Sequence, residues 1–237
     1  MLFKLSVMVL PFDPQATEVL GYDQHLPAVG AASLTAHALR QRFKHPPEWT
    51  PDVEVERWFN ATSPRPAAVL IPLVMRPEPT VLLTQRSMHL KAHGGQISFP
   101  GGRHEPADIT PVNTALREAH EEVGLHPERV EVLGSLPTYT TNSGFVVTPV
   151  VGLLQPWDLD DELLKLERQP GEVDEIFEVP LAFLMNPAHH QRRLLIVAGA
   201  PIELLAMPWS STLAEEPYFI WGATAAMLRN LYRFLVA

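Results

Sequence analysis

Cysteine is absent from all 237 residues. That excludes a disulfide framework, a zinc–thiolate centre and a thiol nucleophile. No apolar run reaches the ~18–20 residues a helix needs to cross a bilayer. Charge is sparse, at 19% against the roughly 25% of an average domain, and acids outnumber bases by 27 to 18, a net charge of −9. Such a balance argues against broad binding to nucleic acid or an anionic membrane and leaves room for a local basic patch. The first twelve residues, Met1 to Phe12, hold one lysine and a short apolar stretch broken by Pro11. A secretory leader has a longer apolar segment and a small-residue cleavage site, so a cytoplasmic protein is expected. No internal repeat is present. What the chain does have is a 46% hydrophobic share, enough for a real core, and 24 prolines, about twice the usual ~5% share.

The prolines divide the chain. Residues 1–65 read as an extension: one short helix from Ser33 to Phe43, then chain interrupted at Pro46, Pro47, Pro51 and Pro64. Prolines stop helices and central strands, so this part is expected to wrap a core that residues 66–237 form. From Ala67 the pattern changes. Ala67–Met75 reads as a buried strand and Thr80–Gln85 as its hairpin partner. Gly94–Gly102 is a glycine-rich loop. Pro111–Val123 reads as a helix that Gly124 ends. Further strands are expected at Arg129–Leu136, Phe145–Leu154 and Val173–Val179, a hairpin around Ala198-Gly199-Ala200-Pro201, and a last amphipathic helix at Ala223–Leu235. Strands and helices mix without regular alternation, which gives an α+β class.

The informative helix holds Arg117-Glu118-Ala119-His120-Glu121-Glu122-Val123-Gly124-Leu125. At ~100° per residue and with Glu118 at zero, Glu121 falls near −60° and Glu122 near +40°, while Val112, Leu116, Ala119 and Val123 centre at about 130°. One face carries three carboxylates and the opposite face packs. Glu118 and Glu122 are like charges four apart, a mildly destabilising spacing unless something positive lies between them. Glycines just upstream let backbone approach a ligand closely. Grouped oxygen donors suit a hard cation such as Mg²⁺ or Mn²⁺, and that suits a phosphate substrate. The adjacent pair His189-His190 reads as a surface feature without the ligand spacing of a zinc site.

These residues resemble the Nudix hydrolase box: Gly, five residues, Glu, seven residues, Arg-Glu, an apolar residue, any residue, Glu-Glu, any residue, Gly, apolar. The half from Arg117 to Leu125 matches throughout, taking Ala119 as the apolar position. The first half differs twice: Gly102 is followed after five residues by Asp108 in place of Glu, and the next gap has one extra residue. The stretch Leu82-Leu83-Thr84-Gln85-Arg86-Ser87-Met88-His89-Leu90-Lys91-Ala92-His93-Gly94-Gly95-Gln96-Ile97-Ser98-Phe99-Pro100-Gly101-Gly102 resembles the segment preceding the box in the coenzyme A pyrophosphatase subfamily. The pieces Thr141-Asn142-Ser143-Gly144-Phe145, Val147–Gly152, Glu172–Leu181 and Ile220–Met227 resemble it too.

The resemblance implies a Nudix-like α/β/α sandwich with a mixed β-sheet and a proline-rich N-terminal extension. It implies hydrolysis of a diphosphate, for this subfamily the cleavage of coenzyme A to 4′-phosphopantetheine and adenosine 3′,5′-bisphosphate, with Mg²⁺ or Mn²⁺. Expected metal ligands are Glu118 and Glu122, with Glu121 as a third ligand or an orienter of water, and the Gly101 carbonyl. Arg117 is expected to hold the acids, paired with Asp108. The general base is a box glutamate or one of Glu172 and Glu175. Arg86, Lys91, His93 and Arg103 are the candidates for phosphate contact, with a hydrogen-bonded loop role as the other reading of His93; Phe99 reads either as core or as a stacking partner of adenine, and Tyr139 and Phe145 share that ambiguity. Two alternatives stand beside this one: a Nudix enzyme for another nucleoside diphosphate derivative, such as ADP-ribose or a dinucleotide, and a sensing module without catalysis. The retained Glu118, Glu121 and Glu122 speak against the sensing module.

Overall fold

A computed structural model describes residues 13–52, 64–90, 93–141, 143–155, 165–197, 199–210 and 217–237. The expectations for Met1–Phe12, Lys91 and Asn142 fall outside these. In chain order the elements are β1 (Glu18–Tyr22), α1 (Ala36–Lys44), β2 (Arg65–Val74), β3 (Thr80–Arg86), β4 (Ile97–Ser98), β5 (Gly101–Arg103), α2 (Pro111–Val123), β6 (Val130–Ser135), β7 (Tyr139–Thr140), β8 (Phe145–Leu154), β9 (Val173–Pro180), α3 (Leu181–Leu184), β10 (Gln191–Val197), β11 (Ala200–Trp209), β12 (Tyr218–Trp221) and α4 (Gly222–Val236).

The larger sheet is mixed. Its central pair, β2 and β8, runs parallel over ten residues, and its other pairings are antiparallel. Parallel neighbours are covered on both faces, which is why both strands are near-continuous apolar runs. The β2–β3 hairpin is shorter than its sequence suggests: only Leu73–Val81 and Val74–Thr80 pair. Beyond that point β3 leaves for β9, and β5 takes its place against Ala67–Val69. The glycine-rich segment therefore contains two short strands, β4 and β5, where the sequence reads as loop. β7 and β12 were also hidden by their shortness.

Helix α2 lies on one face of this sheet. Ala115, Ala119 and Val123 are fully buried against Ala68, Leu70, Leu82 and Val150. Two alanines at the contact let the helix axis sit close to the strands, and a larger side chain there would overpack the layer. The helix begins at Thr110, whose hydroxyl accepts from the Asn113 N–H while the Asn113 side chain accepts from the Thr110 N–H. It ends at Gly124 with φ +67°. The other face carries the larger core, where β11, β12, α1 and the buried side of α4 meet.

The second sheet has the order β1-β10-β11-β12. Residues 13–52 thus do more than wrap: β1 is a strand of that sheet, paired with β10, and Leu39 of α1 is fully buried. The strand was not foreseen because its five residues, among them Gly21, are nearly all exposed and lack an alternating apolar pattern. Among the described residues no helix is long and apolar enough to cross a membrane.

Candidate active site

The acids of α2 come together with arginines from two directions. Arg117 is the hub. Its Nε and Nη2 donate to the two Asp108 oxygens at 3.1 and 3.0 Å, its Nη1 to Glu118 at 2.9 Å and Glu121 at 3.0 Å, and its Nη2 also to the Arg103 carbonyl at 3.0 Å. Asp108 is itself buried, and it accepts from the Thr114 hydroxyl and the Glu105 N–H, both at 2.9 Å. The Arg117 guanidinium, with these hydrogen bonds, holds the Asp108 carboxyl well below the usual range. The shorter Asp in place of Glu, with its extra loop residue, still makes the bidentate pair.

Glu122 sits deepest, with 5% of its side chain exposed. It accepts from the Gly101 N–H at 3.1 Å and from Arg86 at 3.3 Å. Burial raises its pKa to about 7, against the lowering effect of these two donors and with the help of nearby Glu118 and Glu172. Burial likewise raises Glu118, opposed by Arg117. Glu121 is more than half exposed at the rim.

The two box glycines have distinct jobs. A Cβ on Gly102 would lie 2.5 Å from the Glu118 carboxyl, and one on Gly101 would lie 2.5 Å from the Ala68 carbonyl oxygen. Gly102 lets the carboxylate rest against bare backbone, and Gly101 lets β5 press onto β2.

Other expected residues separate. Arg86 joins the site directly. Glu172 is exposed, its carbonyl accepts from the Ser87 N–H at 2.8 Å, and its charge is felt at Glu122. Glu175 lies on β9 opposite Gln85, and its carboxylate accepts the Tyr218 hydroxyl at 2.5 Å. Burial and this acceptor push the Tyr218 phenol up to about 12. Sequence reading missed Tyr218 because nothing local links it to a strand some forty residues upstream. Arg103 is exposed, its guanidinium 5.2 Å from the Phe145 ring centre.

Two expectations need correction. Phe99 is 2% exposed within the larger core, so it has no free face for an adenine; its position between small strands makes it packing. His190 is not a surface residue but fully buried. Its Nε2–H donates to the Leu184 carbonyl at 2.8 Å, and its Nδ1 accepts from Arg229 at 2.9 Å. His189 stacks on Phe183. His93, with φ +60°, hydrogen-bonds Gln96 as a loop histidine.

Among the described residues no three acid or histidine side chains already converge as a cation cage. The arginines lie between the carboxylates instead. The donors nevertheless fit a hard cation: the buried Glu122 and the partly buried Glu118, mutually repelling carboxylates with raised proton affinity, the second cradled where a Cβ would stand.

A helix of grouped acids behind a double glycine, on a mixed sheet between helices, defines a class of phosphate-cleaving enzyme. The Nudix domain family matches residues 64–198, more than half of the chain, and the protein belongs to that family; it is a Nudix hydrolase, of the diphosphatases that act on nucleoside diphosphate derivatives. Among curated relatives it is similar to the uncharacterized Nudix hydrolase NudL of Escherichia coli K12, with 42% identity over 167 residues, 70% of this chain and 81% of that one. The NudL of Shigella boydii serotype 18 matches with the same figures. Among solved structures, the Nudix hydrolase RenU of M. smegmatis is 24% identical over 56% of this chain and 80% of that one, at a TM-score of 0.42.

Proposed function

We propose that this Nudix hydrolase cleaves the diphosphate bond of coenzyme A or a derivative, giving 4′-phosphopantetheine and adenosine 3′,5′-bisphosphate. The observation that carries the reading is the join between residues 82–102 and the acid helix. Arg86, from the segment that resembles the coenzyme A pyrophosphatases, contacts Glu122, and Gly101, from its end, donates to the same carboxylate. The segment that resembles the subfamily thus lends an arginine and a backbone N–H to the acid centre, which supports the reading.

Nudix hydrolases generally use divalent ions such as Mg²⁺ or Mn²⁺. Here Glu118 and Glu122 would hold the ion, with Glu121 and the Gly101 carbonyl as further donors; bound, it supplies charge neutralisation of the diphosphate and a more acidic water. The chain's own residues do the rest. Arg117, anchored by Asp108, donates directly to Glu118 and Glu121 and keeps them oriented. Arg86, 27% exposed, offers a cation to the diphosphate beside Glu122. Glu172 is the better base of the two downstream acids, because it is exposed beside the acid centre while the Glu175 carboxylate is engaged by Tyr218. The reaction is a positioning and charge-stabilisation problem, which such a set is suited to solve.

The test is product analysis by chromatography with coenzyme A, ADP-ribose and NADH in parallel, each with Mg²⁺, Mn²⁺ or chelator. Metal-dependent adenosine 3′,5′-bisphosphate from coenzyme A is expected. Preferential AMP release from the other two substrates would keep the family chemistry and overturn the substrate.

A further inference from the structure

Arg65, at the start of β2, stands in register beside Phe145 at the start of β8, and Arg103 at the end of β5 stands opposite Ala67. Alternation along β2 puts all three side chains on one face of the sheet. The Arg65 guanidinium carbon lies 4.0 Å from the Phe145 ring centre and that of Arg103 lies 5.2 Å away. Arg65 also donates to the Ser143 carbonyl. Both arginines are exposed, and among the described residues neither forms an ion pair. Arg40, Arg76, Arg86, Arg117, Arg192 and Arg229 all hold carboxylates, in a chain with nine more acids than Lys and Arg combined.

Two like charges on one ring repel each other, and the ring only partly offsets this. What it does provide is order: a guanidinium laid on an aromatic ring keeps its N–H edge free for a planar, forked anion contact. The position is also specific. Arg103 gives its carbonyl to Arg117, and Gly101, two residues earlier, gives its N–H to Glu122. The three side chains share the sheet face of Ala67 and Ile71, the one away from α2, at the same end of β2 as the acid centre.

We propose that Arg65 and Arg103, held on Phe145, form the subsite for a 3′-phosphate and set the enzyme's preference for a nucleotide that carries one. This rests on the coenzyme A reading above. The experiment compares hydrolysis of coenzyme A and dephospho-coenzyme A, which differ only in that phosphate, by the wild type, Arg65→Ala, Arg103→Ala and the double variant. The ratio of the two kcat/KM values is measured on each sample, so a loss of folded enzyme cancels. Each single variant is expected to lower the ratio about tenfold, the scale of one charge-assisted contact to phosphate, with the double variant near unity. An equal fall on both substrates, or an unchanged ratio, overturns the subsite. A wild type that cleaves both substrates without preference overturns the subsite and leaves the coenzyme A reading standing. A wild type that cleaves neither overturns both.

Discussion

The protein contains two clusters of arginines and acids, and they are built on opposite terms. Around α2, Asp108, Glu118, Glu121 and Glu122 pair, among the described residues, with Arg117 and Arg86, so negative charge is in excess, and the buried Glu122 and partly buried Glu118 have raised pKa values. At the junction of the N-terminal segment, β10 and α4, Asp23 and Asp52 face Arg192 and Arg229, two against two, with Glu203 at the exposed rim. There Arg229, 2% exposed, reaches Asp52 at 2.6 Å, His190 at 2.9 Å and Asp23 at 3.0 Å. Burial would raise Asp23, yet Arg192 and Arg229 outweigh it and hold its pKa down. The second cluster is nearer balance, three acids to two arginines with one acid at the exposed rim; the first, four acids to two arginines, is left short of positive charge. A cluster that only holds the fold together satisfies its charges internally, whereas one made for a cation and an anionic substrate leaves them wanting.

The largest effects should separate the two clusters. Glu122→Gln is expected to lower turnover by at least about 100-fold, the scale of losing one electrostatic group at a reacting centre, measured by product release with Mg²⁺. Its Tm in chelator should stay the same or rise, because a buried, repelled carboxylate has gone. Arg229→Ala should do the reverse. Leaving Asp23 and Asp52 without their partner is expected to cost about 3–5 kcal/mol, read from urea unfolding, with kcat per folded molecule unchanged. A Glu122→Gln protein that unfolds as readily as Arg229→Ala would erase the distinction.

A finer comparison uses pH. The Nε2–H of neutral His190 is fixed by the Leu184 carbonyl, and its Nδ1 must accept because Arg229 can only donate. Burial first, then the Arg229 charge, lower its pKa from 6.5 to about 4. Between those values the unfolded chain binds more protons, so this group's contribution to stability is lost as pH falls from about 6.5 to about 4. Glu122 acts oppositely. Its pKa rises from 4.5 to about 7 on folding, so the folded chain binds more protons in that window and stability falls as pH rises through it. Each slope is worth on the order of 3 kcal/mol over its window. In metal-free protein the two largely cancel between pH 4.5 and 6.5. His190→Gln should expose a stability that falls with rising pH, and Glu122→Gln one that rises. Identical Tm profiles in the two variants would reject the assignment.

The smallest effect belongs to neither cluster. Arg40 and Glu131 pair at 2.7 Å with 41% and 47% of their side chains exposed. Arg40→Ala is expected to change stability by less than about 1 kcal/mol, and less still at high salt.

How much of this was legible beforehand follows the distance along the chain between the partners. The acid face of α2 was readable because helical geometry fixes the relation of residues three and four apart, and Arg117 meets Asp108 within one loop and helix. The Gly124 terminus and the apolar strands β2 and β8 were readable for the same local reason. Short strands such as β4, β5, β7 and β12 were not, because two to four residues carry too little periodicity to distinguish strand from loop.

The sequence alone therefore determined the class of the molecule, the acid-bearing helix, and the two glycines that any closely approached carboxylate or strand would need. Tertiary structure decided the rest. It brought Arg86 and Glu172 to Glu122, set Tyr218 on Glu175, laid two arginines on Phe145, buried Phe99, and sealed His190 against an arginine that also holds acids from the N-terminal segment. Those relations depend on which strands pair and which helices cover them. That is settled by the balance of burial and hydrogen bonding over the whole chain, and no local spacing encodes it.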